Sequence, residues 1–218
     1  MTLFSNNPPR TLFHRAFYRT VQCLTLFVFR IYFGYKFRNT DRLPLDGGAL
    51  ICPNHISNLD PMAVGCIAHR RVSFLTKKSL LEKGLLGEIL RRLDCIPIDR
   101  DSGIGGMKET LKKLKKGESV VLFPEGTRSE DGNMQPVLPG FTALLKRVKV
   151  PVVPIGIHGT FEAFPSGASK PKPLPIKLVV GEPIPFSEME NMSEQEMADF
   201  VGQKIAACVE EAKQWNCS

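Results

Sequence analysis

Ala49-Leu50-Ile51-Cys52-Pro53-Asn54-His55-Ile56-Ser57-Asn58-Leu59-Asp60-Pro61 reads as a strand, a turn and the first residues of a helix. The apolar run 49–52 has no polar alternation, so it is a short buried strand, closed by Pro53. Asp60-Pro61 reads as helix cap and first helical residue: proline there loses no needed N–H, and aspartate accepts a backbone donor. His55 therefore sits in a strand-to-helix turn, and the five-residue step to Asp60 lets the carboxylate fold back toward the imidazole. A neutral imidazole with its Nδ1–H held by a carboxylate presents Nε2 as a proton acceptor near neutral pH, which is what activating a hydroxyl requires. The same residues also suit an ordinary polar turn, with Asp60 as N-cap and His55 as a turn residue.

Downstream, the apolar spacing predicts a short helix over 62–68, a strand over 72–76 and an amphipathic helix over 79–93. Leu81, Leu85, Leu86, Ile89, Leu90 and Leu93 are read as that helix's core face. A strand over 95–98 leads to Asp99-Arg100, a loop, and a helix ending at Lys116. The strand 119–123 is buried and delivers Pro124-Glu125-Gly126-Thr127-Arg128 at its carboxyl end, the edge where open α/β sheets place ligands. Pro151 and Pro154 suit an edge or a strand start for the segment 150–157. His158 follows it, either as a satisfied turn residue or as a group facing the site. The segment 161–175 is a polar loop, 176–180 a strand, and 193–215 a helix opened by the capping box Ser193–Glu196.

Residues 1–9 are turn-rich, and a helix is expected from about Arg10 to about Tyr35. Its apolar part is about 22 Å long, short against a hydrocarbon core of about 30 Å, and Arg30 interrupts it. Arg15, Arg19, Gln22 and Arg30 fall within about 80° of one another on the wheel, leaving a wide apolar face. Such a helix lies in the headgroup region as a monotopic anchor, or packs on the domain's own core. The expected organisation is an anchoring segment 1–38 followed by one domain, 39–218.

At 218 residues the chain suits one α/β domain, and 43% hydrophobic with 23% charged residues is ordinary for a globular protein. A net charge of +7 attracts polyanions. The basic clusters lack interleaved aromatics or a nucleic-acid-binding motif, and an apolar segment lies between the first two. An anionic membrane surface, not nucleic acid, is therefore the expected partner. The six cysteines show no Cys-x-x-Cys spacing and read as buried hydrophobes in a reducing compartment. The four histidines have no metal-ligand spacing, and no Gly-x-Ser-x-Gly elbow is present.

Four blocks occur in order: Asn54-His55 with Asp60; Ile98-Asp99-Arg100; Phe123-Pro124-Glu125-Gly126-Thr127-Arg128-Ser129; and Val150-Pro151-Val152-Val153-Pro154. Together they resemble the motif blocks of the glycerophospholipid acyltransferases, over roughly 43–184. The resemblance implies a single α/β domain with a mixed central sheet flanked by helices, the glycerol-3-phosphate acyltransferase-like fold. It implies His55 and Asp60 as the catalytic pair, with Asn54, Arg100, Glu125, Gly126, Thr127 and Arg128 binding substrate. Arg100, and secondarily Arg128, would meet the acceptor's phosphate, while Glu125 would order the arginines or the acceptor hydroxyl.

The implied reaction is acyl transfer from acyl-CoA or acyl-carrier protein to 1-acyl-glycerol 3-phosphate, without acyl-enzyme, cofactor or metal, at the cytoplasmic face of the membrane. Many members carry Lys-Gly after the third block, where this chain reads Leu138-Pro139-Gly140. That departure keeps another lyso-lipid acceptor open, with Lys146 or Arg147 as substitute cations; a non-catalytic lipid-binding protein is the reading from a different class.

Overall fold

The computed structural model describes residues 11–98 and 104–215; residues 1–10, the segment 99–103 that carries Asp99 and Arg100, and residues 216–218 lie outside it. Among the described residues seven strands form one sheet. They are β1 (Lys36–Arg38), β2 (Ala49–Pro53), β3 (Val72–Lys77), β4 (Ile96–Ile98), β5 (Ser119–Val121), β6 (Val152–His158) and β7 (Lys177–Val180), in the spatial order β1-β7-β6-β2-β5-β3-β4. From β6 to β4 the strands are parallel, whereas β7 runs antiparallel to β6 and carries β1 parallel to itself. The sheet is mixed, as expected.

Helices α1 (Leu12–Phe33), α2 (Asp60–Ile67) and the short α7 (Thr160–Ala163) cover one face, and α5 (Ile104–Lys115), α6 (Thr142–Val148) and α8 (Glu194–Gln214) cover the other. Strand alternation divides β2 between them: Ile51 joins Phe29, Phe33, Val64 and Ile67, while Leu50 joins Leu114, Leu145, Val201 and Ile205. Buried on both faces, β2 is apolar throughout, the pattern of a central parallel strand. The crossover β2-α2-β3 and the crossover β4-α5-β5 run in opposite directions across the sheet, so right-handed connections place α2 and α5 on opposite faces.

Two expectations are corrected. The helix expected over 79–93 is broken into α3 (Lys78–Leu81) and α4 (Gly84–Arg92), because Gly84 at φ +41° cannot continue a right-handed helix. As a result Leu85 and Leu86, read as core, are exposed. Strand β6 is interior, not an edge: it pairs with β2 on one side and β7 on the other. Pro154 is tolerated because it precedes Ile155, where the ladder with β7 begins, and its own carbonyl accepts the Gly181 N–H at 2.9 Å.

The capping box is formed, with Ser193 Oγ accepting from Glu196 N–H and Glu196 Oε2 accepting from Ser193 N–H. Met197, Val201, Ile205 and Val209 turn to the sheet, and Gly156 of β6 lets α8 lie on the strand; a Cβ there would stand 2.1 Å from the Cys208 carbonyl carbon.

Helix α1 has two sides. Tyr18, Phe29 and Phe33 are buried. Gln22 Nε2 donates to the Gly65 and Ala68 carbonyls, both at 2.8 Å, satisfying orphan acceptors at the end of α2, and Arg19 donates to the His69 carbonyl at 2.6 Å. The opposite side leaves Leu24, Phe27, Val28 and Ile31 exposed, a stripe at helical spacing. Among the described residues no helix is long and apolar enough to cross a membrane.

Candidate active site

The carboxyl ends of β2, β5 and β6 meet at one edge, and the His55–Asp60 turn and the Glu125 block arrive there, whereas the block 150–154 lies at the start of β6. Asp60 turns back on its own chain: Oδ2 accepts from the Ile56 and Ser57 amides, each at 2.7 Å, and from His55 Nδ1 at 2.9 Å. Asp60 is wholly buried and is the first residue of α2, Leu59 being the cap position, so its carboxylate closes the turn behind it instead of capping the helix ahead. Three donors on one oxygen make a stiff turn, because charge-assisted bonds are short and strong. Ser57 adds to it, accepting from the Leu59 amide and donating to the Phe164 carbonyl at 2.7 Å.

His55 is thereby oriented. Its ring stacks on Phe123, with centroids 4.0 Å apart, and its side chain is 17% exposed. Because the ionised carboxylate has no proton to give, the N–H sits on Nδ1, and Nε2 carries the lone pair with no partner among the described residues. The backbone of the same residue is held as firmly: its N–H donates to Glu125 Oε1 at 2.6 Å, and its carbonyl accepts from Ser129 N–H at 2.8 Å.

Asn54, expected at the substrate, has a different employment. Its side chain accepts from Ile157 N–H at 2.7 Å and donates to the Ile157 carbonyl at 3.0 Å, and the residue is 1% exposed. Both ends of the amide are thus spent on joining β2 to β6. Glu125 is also buried, its second oxygen accepting from Gln135 N–H at 2.7 Å, and burial pushes its carboxyl up to about 7 against the two N–H bonds that favour the charge.

Gly126, at φ +74°, makes the turn after Phe123 with Leu138 packed over it; a Cβ would lie 2.8 Å from Leu138 Cδ1. Gly126 and Thr127 are exposed, and the Arg128 guanidinium, half-buried, has no partner among the described residues. Arg100 lies outside the described residues.

Lys146 and Arg147, considered as replacements for the family's lysine, are exposed on α6, across the sheet from His55. His158 also faces away from His55. Its neighbour Ile157 belongs to the α2 side, and His158 lines a cleft of about 310 Å³ with Glu162, Glu210 and Lys213, a cleft that Asn54 and Ile56 also border but His55 does not. Desolvation holds its imidazole below the usual range, favouring the neutral form. Sequence reading missed Phe123 as the platform under the imidazole, and Ser129 and Gln135 as backbone anchors. Strand alternation puts Phe123 on the face of Val121 and was the available signal; the two anchors act through their amides and had none.

The family model described as Acyltransferase matches residues 34–158, more than half of the chain. The chain is 29% identical over 178 residues to a 1-acyl-sn-glycerol-3-phosphate acyltransferase of Bacillus subtilis, covering 79% of this chain and 86% of that protein. It is 34% identical over 140 residues to the protein of that name from Limnanthes douglasii, where the match spans 62% of this chain and 50% of the plant protein. The crystal structure of the 1-acyl-sn-glycerophosphate (LPA) acyltransferase PlsC from Thermotoga maritima superposes with a TM-score of 0.85 at 23% identity, covering 98% of this chain and 86% of that one, a likeness of fold. With a family match that begins at the end of α1, takes in the His55 turn and the Glu125 block and closes on β6, this chain belongs to the acyltransferase family.

Proposed function

We propose that the chain moves a fatty acyl group from a thioester donor, acyl-CoA or acyl-carrier protein, to the free hydroxyl of 1-acyl-glycerol 3-phosphate, making phosphatidic acid. The relatives carrying that enzyme name support the acceptor. The observation that carries the mechanism is the buried Asp60 carboxylate on His55 Nδ1, which leaves the Nε2 lone pair without a partner among the described residues. Nε2 takes the hydroxyl proton as the oxygen attacks the thioester carbonyl; the C–S bond breaks, and the imidazolium returns the proton to the leaving thiolate. The imidazolium forms 2.9 Å from a carboxylate, which stabilises the transition state more than the ground state.

Arg128, beside the exposed Thr127 and Gly126, supplies a phosphate contact, and the resemblance adds Arg100. The exposed stripe of α1 supports peripheral attachment to an anionic membrane at its cytoplasmic face, the segment 1–38 anchoring and 39–218 carrying the chemistry. Leu138 in the place of the family's lysine favours, as second reading, a lyso-lipid with a less charged head group.

The test is purified protein with palmitoyl-CoA and a panel of lyso-lipids, products identified by mass spectrometry, for wild type and His55→Ala. Phosphatidic acid is the expected product, lost in a folded His55→Ala protein. A folded variant that turns over like wild type removes the base, and product from an aminolipid acceptor alone moves the second reading ahead.

A further inference from the structure

The third block places a carboxylate where a substrate contact is expected, yet the atoms of that carboxylate are already occupied. Glu125 is 3% exposed; Oε1 accepts from His55 N–H at 2.6 Å and Oε2 from Gln135 N–H at 2.7 Å. The loop between follows the same plan. Its start is pinned by Ser129 N–H on the His55 carbonyl at 2.8 Å, and its end by Leu138 N–H on the Pro124 carbonyl at 3.0 Å. Phe123, two residues before Glu125, is the surface on which the imidazole stacks. One segment therefore supplies both the platform under the ring and the anchor of its backbone.

We infer that Glu125 is a positioning residue: its carboxylate ties the His55 turn to the loop at Gln135 and so fixes where the imidazole meets the acceptor hydroxyl. This rests on the reading of His55 as the base, and it replaces the acceptor contact that the family resemblance implies. An ionised carboxylate accepts from both amides; a protonated one keeps a good acceptor for one of them. Burial raises this carboxyl to about 7, the two amides oppose it, and Asp60 on α2 adds a push in the same direction as burial. On the turn side Glu125 meets the His55 backbone N–H and not its ring, while the loop side presents the Gln135 amide. The carboxylate fraction grows as pH rises through about 7, and with it the share of molecules in which both amides are held. The wild-type kcat should then rise with pH through about 7 as Glu125 ionises.

The experiment measures kcat, acceptor KM and their pH profiles for wild type, Glu125→Gln, Glu125→Asp and His55→Ala, each with a thermal melt. A misplacement on the scale of 1 Å costs about 100-fold in rate. Glu125→Gln should lose kcat to about that extent with acceptor KM little changed, and it should lose the rise of kcat with pH that Glu125 contributes near 7. Glu125→Asp, which keeps the charge but reaches one amide, should be intermediate, and it carries the same test should the glutamine variant not fold. A raised acceptor KM with kcat preserved, or unaltered kinetics in a folded variant, overturns the inference. Activity persisting in folded His55→Ala is a different failure, that of the base.

Discussion

Replacing Asp60 by asparagine removes a charge and almost nothing else. The amide oxygen can stand where Oδ2 collects His55 Nδ1, Ile56 N–H and Ser57 N–H, and the amide nitrogen then falls at Oδ1, a buried atom with no hydrogen-bond partner. Hydrogen bonds to a charged acceptor contribute roughly 1.5–3 kcal/mol against 0.5–1.5 for neutral ones, so each of the three weakens by about 1 kcal/mol, about 3 kcal/mol together. For a domain of this size that lowers Tm by roughly 6–12 °C. Catalysis loses a separate quantity. Unit charges 2.9 Å apart in an effective dielectric of about 20 attract by about 6 kcal/mol, an upper bound for the imidazolium formed in the transition state. Retaining half of that through water and the remaining dipoles leaves a loss of about 3 kcal/mol, or about 100-fold in kcat. The assay is single-turnover acyl transfer at saturating donor, beside a thermal melt. An Asp60→Asn protein whose Tm falls as stated but whose kcat stays within about threefold of wild type would show that Asp60 clamps the turn and does nothing for the base.

The α1 stripe predicts that Phe27→Ser with Ile31→Ser, at positions 64% and 74% exposed, abolishes sedimentation with anionic liposomes while leaving Tm unmoved; a lowered Tm with binding intact would make the stripe part of the fold. Arg128→Ala should lower kcat/KM for 1-acyl-glycerol 3-phosphate by roughly 10- to 150-fold, the value of one charge-assisted bond, and leave an uncharged monoacylglycerol unaffected. Equal losses on both acceptors would mean that Arg128 reads no phosphate.

What could be read from sequence was whatever closes within a few residues. The apolar run of β2, the return of Asp60 to His55 and the Ser193–Glu196 box all depend on neighbours no more than five positions apart, so residue type and spacing decide them. The α/β class was legible too, because buried strands alternating with amphipathic helices leave few other arrangements, whereas the mixed sheet was expected from the family resemblance. The bonds that hold Asn54 and Glu125 were not legible, because Ile157 lies 103 positions from Asn54 and His55 70 from Glu125. Strand order alone makes those residues neighbours. The same holds for Leu85 and Leu86, whose helical spacing promised a core until a break at Gly84 turned α4 to solvent. Residue type supplied the candidate groups; tertiary structure decided which of them are already held by other parts of the chain. A buried polar atom takes the nearest donor or acceptor that the fold brings to it, and local sequence does not say which that will be.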